Sequence, residues 1–268
     1  QTPIVLMHGV QGSADQMNNI MRWIKETIPD AYTLSCPVAE GNVGSMLTAM
    51  NDQIDDFAIC VQNNKMLKDG FVALGYSQGG FVMRGYIHKY NTPKVTKFIT
   101  MSAPHAGYFC GISNSCGPFV FPDFINALIP QLVYTEFIQN IVSIAGYWRD
   151  PYHIEKYEDS SSCLTHLDGI NYNETYRQNF ESLELLVMAG SARDIVISPW
   201  QSAWYGFYKA GGDKEIEQLE DRQEAEASGY KYLNDHNRII RIESGQLHTD
   251  YLQNEKWFKD TLVQYLRD

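Results

Sequence analysis

The sequence lacks any run of 18 apolar residues, so no transmembrane helix is expected. Its longest uncharged, apolar-looking stretch, about Cys110 to Pro122, is broken by Gly, Ser, Asn and Pro. Basic residues are scarce: 21 Lys and Arg stand against 32 Asp and Glu, a net charge of −11. That shortage excludes the basic patch that a phosphate backbone needs, and with it nucleic acid as a partner. The five Cys form no CxxC pair and no Cys/His cluster at zinc spacing, so neither a metal nor another cofactor is expected. Repeats and low-complexity tracts are absent. So is a basic then apolar leader, because the chain runs from Gln1 straight into a strand; a signal peptide is expected to have been removed already.

What is present describes one globular unit over residues 1–268. The composition is 44% apolar and 13% aromatic, enough for a large core. Periodicity alternates between strand and helix. Pro3–Met7 reads as a buried strand, Asp15–Ile28 as a helix, Ala31–Ser35 as a short strand and Ser45–Val61 as a helix. Phe71–Tyr76 is a second buried strand, Gly79–Tyr90 a helix and Val95–Ser102 a third strand. This rhythm implies βαβ units and a mostly parallel sheet flanked by helices. About 80 residues then pass before the strand Leu183–Ala189, too many for a plain loop. Residues 106–180 are therefore expected to be a helical insertion. Phe119, Phe121, Phe124, Ile125, Leu128 and Ile129 come first in it, then an amphipathic helix through Tyr134, Phe137, Ile138, Ile141, Val142 and Ala145. A strand at Arg238–Ile242 and a helix at Asn254–Leu266 close the chain.

Gly75-Tyr-Ser77-Gln-Gly79 is a G-x-S-x-G element between a buried strand and a helix. Ser77 is expected on a sharp, strained turn that lifts its hydroxyl above the sheet, with glycines where side chains would collide. The helix that follows turns its positive end toward the serine. A serine nucleophile needs a base, and the base an orienting acid, in the order Ser, Asp or Glu, His for this fold. Asp194 follows the strand Leu183–Ala189, and His248 follows Arg238–Ile242; both are the expected partners. Glu243 is a poor rival, since it would sit beside the histidine rather than on a separate loop. His8 and His105 come too early in the chain, His88 is expected on the exposed side of its helix, His153 and His166 fall in the insertion, and His236 precedes its strand. The oxyanion needs backbone donors. Gln78 N–H is one, and Val10 N–H, in the turn after the first strand, is the other.

Cys110 and Cys116 bracket a turn-rich loop and are candidates for a disulfide. Asn173-Glu-Thr175 is a glycosylation sequon. Both features suit a secreted or lumenal protein.

With these residues in place, nearly the whole chain resembles a palmitoyl-protein thioesterase. The resemblance is carried by His8-Gly9, Gly75-Tyr-Ser-Gln-Gly-Gly80, Tyr147-Trp-Arg-Asp-Pro151, Gly169-Ile-Asn-Tyr-Asn-Glu-Thr-Tyr176, Asp194-Ile-Val196 and Trp204-Tyr-Gly-Phe-Tyr208. It implies an α/β-hydrolase fold and a Ser77–Asp194–His248 triad. It implies hydrolysis of long-chain acyl thioesters on the cysteines of S-palmitoylated proteins or peptides, and a lysosomal, glycosylated enzyme; acyl-CoA is an alternative substrate. It also supports the Cys110–Cys116 pairing. Two departures stand out. The family histidine commonly follows a Gly-Asp pair, whereas here the stretch reads Gly245-Gln-Leu-His248, with a longer spacing to Trp257. Cys60 has no cysteine in its expected partner region, Gly85–Pro93, which leaves Cys36 or Cys163 as its partner.

The insertion then acquires an expected role as a lid or acyl-binding region. Burying eight methylenes contributes about 6 kcal/mol at ~0.8 kcal/mol each. An esterase or lipase on the same triad is the competing enzyme, since oxygen esters and thioesters pass through the same oxyanion. A non-catalytic binding protein on a hydrolase fold is the competing class.

Overall fold

The computed structural model describes residues 1–111 and 132–268. The described residues hold eight strands: β1 (Ile4–Met7), β2 (Thr33–Ser35), β3 (Phe71–Tyr76), β4 (Val95–Met101), β5 (Leu185–Gly190), β6 (Phe207–Tyr208), β7 (Ile216–Glu217) and β8 (Ile239–Glu243). Six of them form a sheet in the order β2-β1-β3-β4-β5-β8, with every pairing parallel. β6 and β7 make a small antiparallel pair. The strands expected from the sequence are found within two residues of their bounds.

The central strands are covered on both sides, and their side chains alternate between two cores. Ile4, Leu6, Val72 and Leu74 face one core, which also holds Ile20, Trp23 and Ile24 of α1 (Asn18–Thr27) and Phe258 and Leu262 near the chain end. Val5, Met7, Phe71 and Ala73 face the other, built from α3 (Met50–Gln62) and α4 (Gln78–Lys89). This period of two is why the strands read as continuous apolar runs.

Three sequence expectations are corrected. The helix expected over Ser45–Val61 is two helices, α2 (Gly41–Leu47) and α3. Thr48 is extended, at φ −104° and ψ 123°, which breaks the helix between them. The Gln53 side chain makes the break tenable, donating from Nε2 to the carbonyls of Ser45 and Thr48 at 3.0 Å each. The amphipathic helix expected through Tyr134–Ala145 is only Glu136–Gln139, followed by a 3-10 turn at Ser143–Tyr147. Gln139 Nε2 folds the chain back by donating to Val133 and Ala145 carbonyls, and Phe137 is left 72% exposed. The third correction is His88, which is fully buried and stacked on Phe180 with ring centroids 4.5 Å apart. The expected apolar positions Phe119 to Ile129 lie outside the described residues.

Candidate active site

Four loops leave the carboxyl ends of β1, β3, β5 and β8 on one edge of the sheet, where open α/β folds gather their functional groups. Ser77 follows β3 at φ 52° and ψ −130°, a conformation that costs a non-glycine residue of order 1–3 kcal/mol. Packing enforces it. A Cβ on Gly75 would come within 2.4 Å of Gly80 Cα, and one on Gly79 within 2.3 Å of the His8 carbonyl oxygen. The turn thus closes onto both its own helix and the loop after β1. That loop lies directly over the serine, because a Cβ on Gly9 would stand 3.1 Å from Ser77 Cβ.

The structure brings Ser77, His248 and Asp194 into one hydrogen-bonded line. Ser77 Oγ is 2.9 Å from His248 Nε2, and His248 Nδ1 is 2.7 Å from Asp194 Oδ2. The other carboxylate oxygen accepts the backbone N–H groups of Val196 and Ile197 at 2.8 and 3.1 Å. All three residues are buried. Burial pushes the Asp194 carboxyl up. The His248 hydrogen bond and charge, with help from Ser102 and the Val196 N–H, outweigh it and hold the group below its ordinary value. An ionised Asp194 can only accept, so the His248 proton sits on Nδ1 and Nε2 is left to accept from the Ser77 hydroxyl.

Tyr76, one residue before the serine, reaches across to His248. Its hydroxyl donates to the His248 carbonyl at 3.0 Å and its ring lies 5.2 Å from the imidazole. A second tie runs between the loops that carry Asp194 and His248, from Arg193 Nη1 to the Gly245 carbonyl at 2.9 Å. Glu243 faces backbone instead, accepting from the Ala192 and Gly245 N–H groups. The unusual Gly245-Gln-Leu-His248 stretch is closed by Leu247 N–H donating to Asp250 at 2.9 Å. Neither the Val10 nor the Gln78 N–H donates to any acceptor in the described turns, loops and caps.

The remaining histidines have other surroundings. His8 places its ring nitrogens against the Gly9 and Val38 carbonyls. His105 contacts Thr100 and Tyr230 hydroxyls. His153 pairs with Asp150, and His236 meets the Tyr232 carbonyl. Among the described residues no group of three His, Cys, Asp or Glu side chains could hold a metal ion, and no helix is long and apolar enough to cross a membrane.

Cys36 and Cys60 form a disulfide, which settles the open choice at Cys60, and Cys163 is a buried free thiol. Cys110 is disulfide-bonded, while Cys116 lies outside the described residues. Asn173 is exposed and caps the helix Glu174–Glu181.

Sequence reasoning missed a second buried cluster. Asp168 receives Arg84 Nη2 at 2.8 Å, Tyr205 Oη at 3.0 Å and Arg222 Nη2 at 3.2 Å. Arg149 adds an ion pair to Asp168 at 3.8 Å and another to Glu224 at 2.7 Å. The motifs at 147–151 and 204–208 thus meet in one polar core. The available signal was Arg149 beside Trp148 in the first motif and Tyr205 beside Trp204 in the second, polar groups among large aromatic residues.

Comparison with known proteins agrees with this architecture. Residues 3–248 match the family model described as palmitoyl protein thioesterase. Palmitoyl-protein thioesterase 3 of Dictyostelium discoideum is 32% identical over 93% of this chain and 86% of its own length. Lysosomal thioesterase PPT2-B of Xenopus laevis is 31% identical over 98% of this chain and 92% of its own. Among solved structures, a Bacillus licheniformis lipase aligns with a TM-score of 0.55 at 12% identity, covering 100% of this chain and 93% of that one. An extracellular α/β-hydrolase from a Paenibacillus species aligns with a TM-score of 0.52 at 14% identity, over 100% of both chains. At such identities these two speak for the fold alone. The chain belongs to the palmitoyl-protein thioesterase family of α/β-hydrolases, and it is a thioester hydrolase.

Proposed function

We propose that this enzyme releases long-chain fatty acids, palmitate among them, from S-acylated cysteines of proteins or peptides, with Ser77 as nucleophile. The observation that carries the reading is the unbroken line from Ser77 Oγ through His248 to Asp194. Ser77 Oγ attacks the thioester carbon while His248 Nε2 takes its proton. The carbonyl oxygen becomes an oxyanion that accepts from the Val10 and Gln78 N–H groups. The C–S bond breaks, and His248 returns the proton to the departing sulfur, which leaves as a cysteine thiol. Water then attacks the acyl-serine with its proton passing to His248. The acid leaves and Ser77 Oγ regains a proton. Asp194 stays ionised throughout and holds the imidazole in its tautomer.

The tail requires an apolar surface that the triad does not provide. The insertion over 106–180 supplies it in this reading, as a lid or acyl-binding region beside the site. Tyr147 supports this placement, since its hydroxyl donates to Gln78 Oε1 at 2.9 Å, one residue from the nucleophile. A lysosomal or secreted location follows from the relatives named lysosomal and from the Cys36–Cys60 bond, which suits an oxidising compartment. The Cys110–Cys116 bridge and a glycan on Asn173 belong to the same proposal.

A chain-length series of acyl thioesters, with the matching oxygen esters alongside, tests the substrate class. kcat/KM is expected to rise by up to about fourfold per methylene until the tail surface ends, with thioesters preferred. A flat response from short to long acyl groups, or a preference for the oxygen esters, overturns it in favour of an esterase.

A further inference from the structure

The two N–H groups assigned to the oxyanion come from loops far apart in the chain, and their spacing must be held by something. The side chain of Gln78 does not point into solvent. Its Nε2 donates to the Ser45 carbonyl at 3.1 Å and contacts Gln53 Oε1 at 3.3 Å. On the other loop, the residue after Val10 donates its N–H to the same serine: Gln11 N to Ser45 Oγ, 2.5 Å. Ser45 Oγ in turn donates to the Gly41 carbonyl at 2.8 Å, which directs its lone pair at Gln11. A further backbone bond, Gly41 N–H to the Gly12 carbonyl at 2.8 Å, fastens the start of α2 to the same loop. Ser45 is fully buried.

We propose that Ser45 is a positioning residue that clamps the two oxyanion donors at a fixed separation. Its hydroxyl sets the Val10–Gln11 loop and its carbonyl sets Gln78. The carbonyl lacks a helical donor because α2 breaks at Thr48, and it accepts from the Nε2 groups of both Gln53 and Gln78 instead. The inference rests on Val10 and Gln78 N–H being the oxyanion donors. The clamp acts on the tetrahedral state and not on the tail, so its loss must appear in kcat rather than KM.

The test compares wild type with Ser45→Ala, using a palmitoyl thioester, a palmityl trifluoromethyl ketone and an S-hexadecyl cysteine peptide. The ketone adduct on Ser77 carries an oxyanion, whereas the thioether has the tail and sulfur but no carbonyl. Ser45→Ala is expected to lower kcat about tenfold with KM unchanged. Ketone affinity should fall by a similar factor and thioether affinity should hold. Gln78→Met removes the other tether while keeping the backbone N–H, and decides the matter if Ser45→Ala does not fold. Combined, the two substitutions should lose less than the product of their separate losses. An unchanged kcat, a loss carried by KM, or intact ketone affinity in either variant overturns the clamp. If wild type itself binds the ketone no tighter than the thioether, the assignment of Val10 and Gln78 fails and the clamp fails with it. Loss of the clamp alone leaves that wild-type preference intact.

Discussion

Two buried carboxylates organise this molecule, and they are put to opposite uses. Asp194 faces an imidazole whose far nitrogen meets the Ser77 hydroxyl, so the line it anchors can exchange a proton. Asp168 faces the guanidiniums of Arg84, Arg149 and Arg222, which stay charged at any working pH. Its surroundings cannot exchange protons; they can only hold shape. Both carboxylates are taken out of water, and both are compensated by charge and hydrogen bonds. The identity of the partner therefore separates chemistry from architecture, while burial does not.

The largest effect should come from breaking the first line. Ser77→Ala is expected to lose on the order of 10⁴-fold or more in turnover, with the thermal midpoint little changed because alanine keeps the Cβ and the turn around it. Appreciable thioesterase activity in that folded variant would remove Ser77 from its role. Asp168→Ala should do the reverse. Leaving guanidiniums buried without their carboxylate costs about 3–5 kcal/mol of stability, read as a lower denaturant midpoint. A variant as stable as wild type would show that the cluster is not holding the fold.

The cluster also predicts a pH window. Burial pushes Glu224 up, but Arg222 and Arg149 outweigh it and hold the group at about 2 against an ordinary 4.5. A depressed carboxyl stabilises the fold above its ordinary value and loses that contribution as pH falls through the folded one. The gap corresponds to about 3 kcal/mol, present at pH 5 and lost between about 4.5 and 2. Asp194 shifts in the same direction. Denaturant unfolding followed from pH 7 to pH 2 should show the decline, and Glu224→Gln should flatten it; equal slopes in both proteins count against the assignment. The smallest effect tests the link between β3, which leads into Ser77, and His248. Tyr76→Phe removes only the hydroxyl that reaches the His248 carbonyl. It should lower kcat about fivefold with little change in KM. A loss carried by KM would mean that Tyr76 touches substrate instead.

Much of this was legible in the sequence because it depends on local pattern. The sheet showed through runs such as Ile4–Met7 and Phe71–Tyr76. Ser77, Asp194 and His248 each stand just beyond such a run, so their placement at one edge followed from topology. What escaped depends on partners distant in the chain. His88 has the helical position of a surface residue, yet Phe180 covers it. The break at Thr48 hangs on Gln53, whose side chain replaces the missing backbone donors. Asp168 looks like any helix-end acid until Arg84 and Arg222 arrive from 84 and 54 positions away. Cys60 had two partners open to it, and only the course of β2 toward α3 selects Cys36.

That cross-link has a consequence in terms of chain topology. Cys36 and Cys60 are 24 residues apart, and the covalent ring they close contains Gly41, Ser45, Thr48 and Gln53. An unfolded chain with the bond intact cannot disperse these residues. In a loop-closure picture, the ring takes roughly 3.5 kcal/mol of conformational freedom from the denatured ensemble. The saving is local: it falls on the segment that grips the turn after β1, while the loops carrying Asp194 and His248 lie outside the ring. The cross-link thus restricts the unfolded chain in the segment that carries Ser45, and leaves the loops of Asp194 and His248 to be placed by the sheet alone.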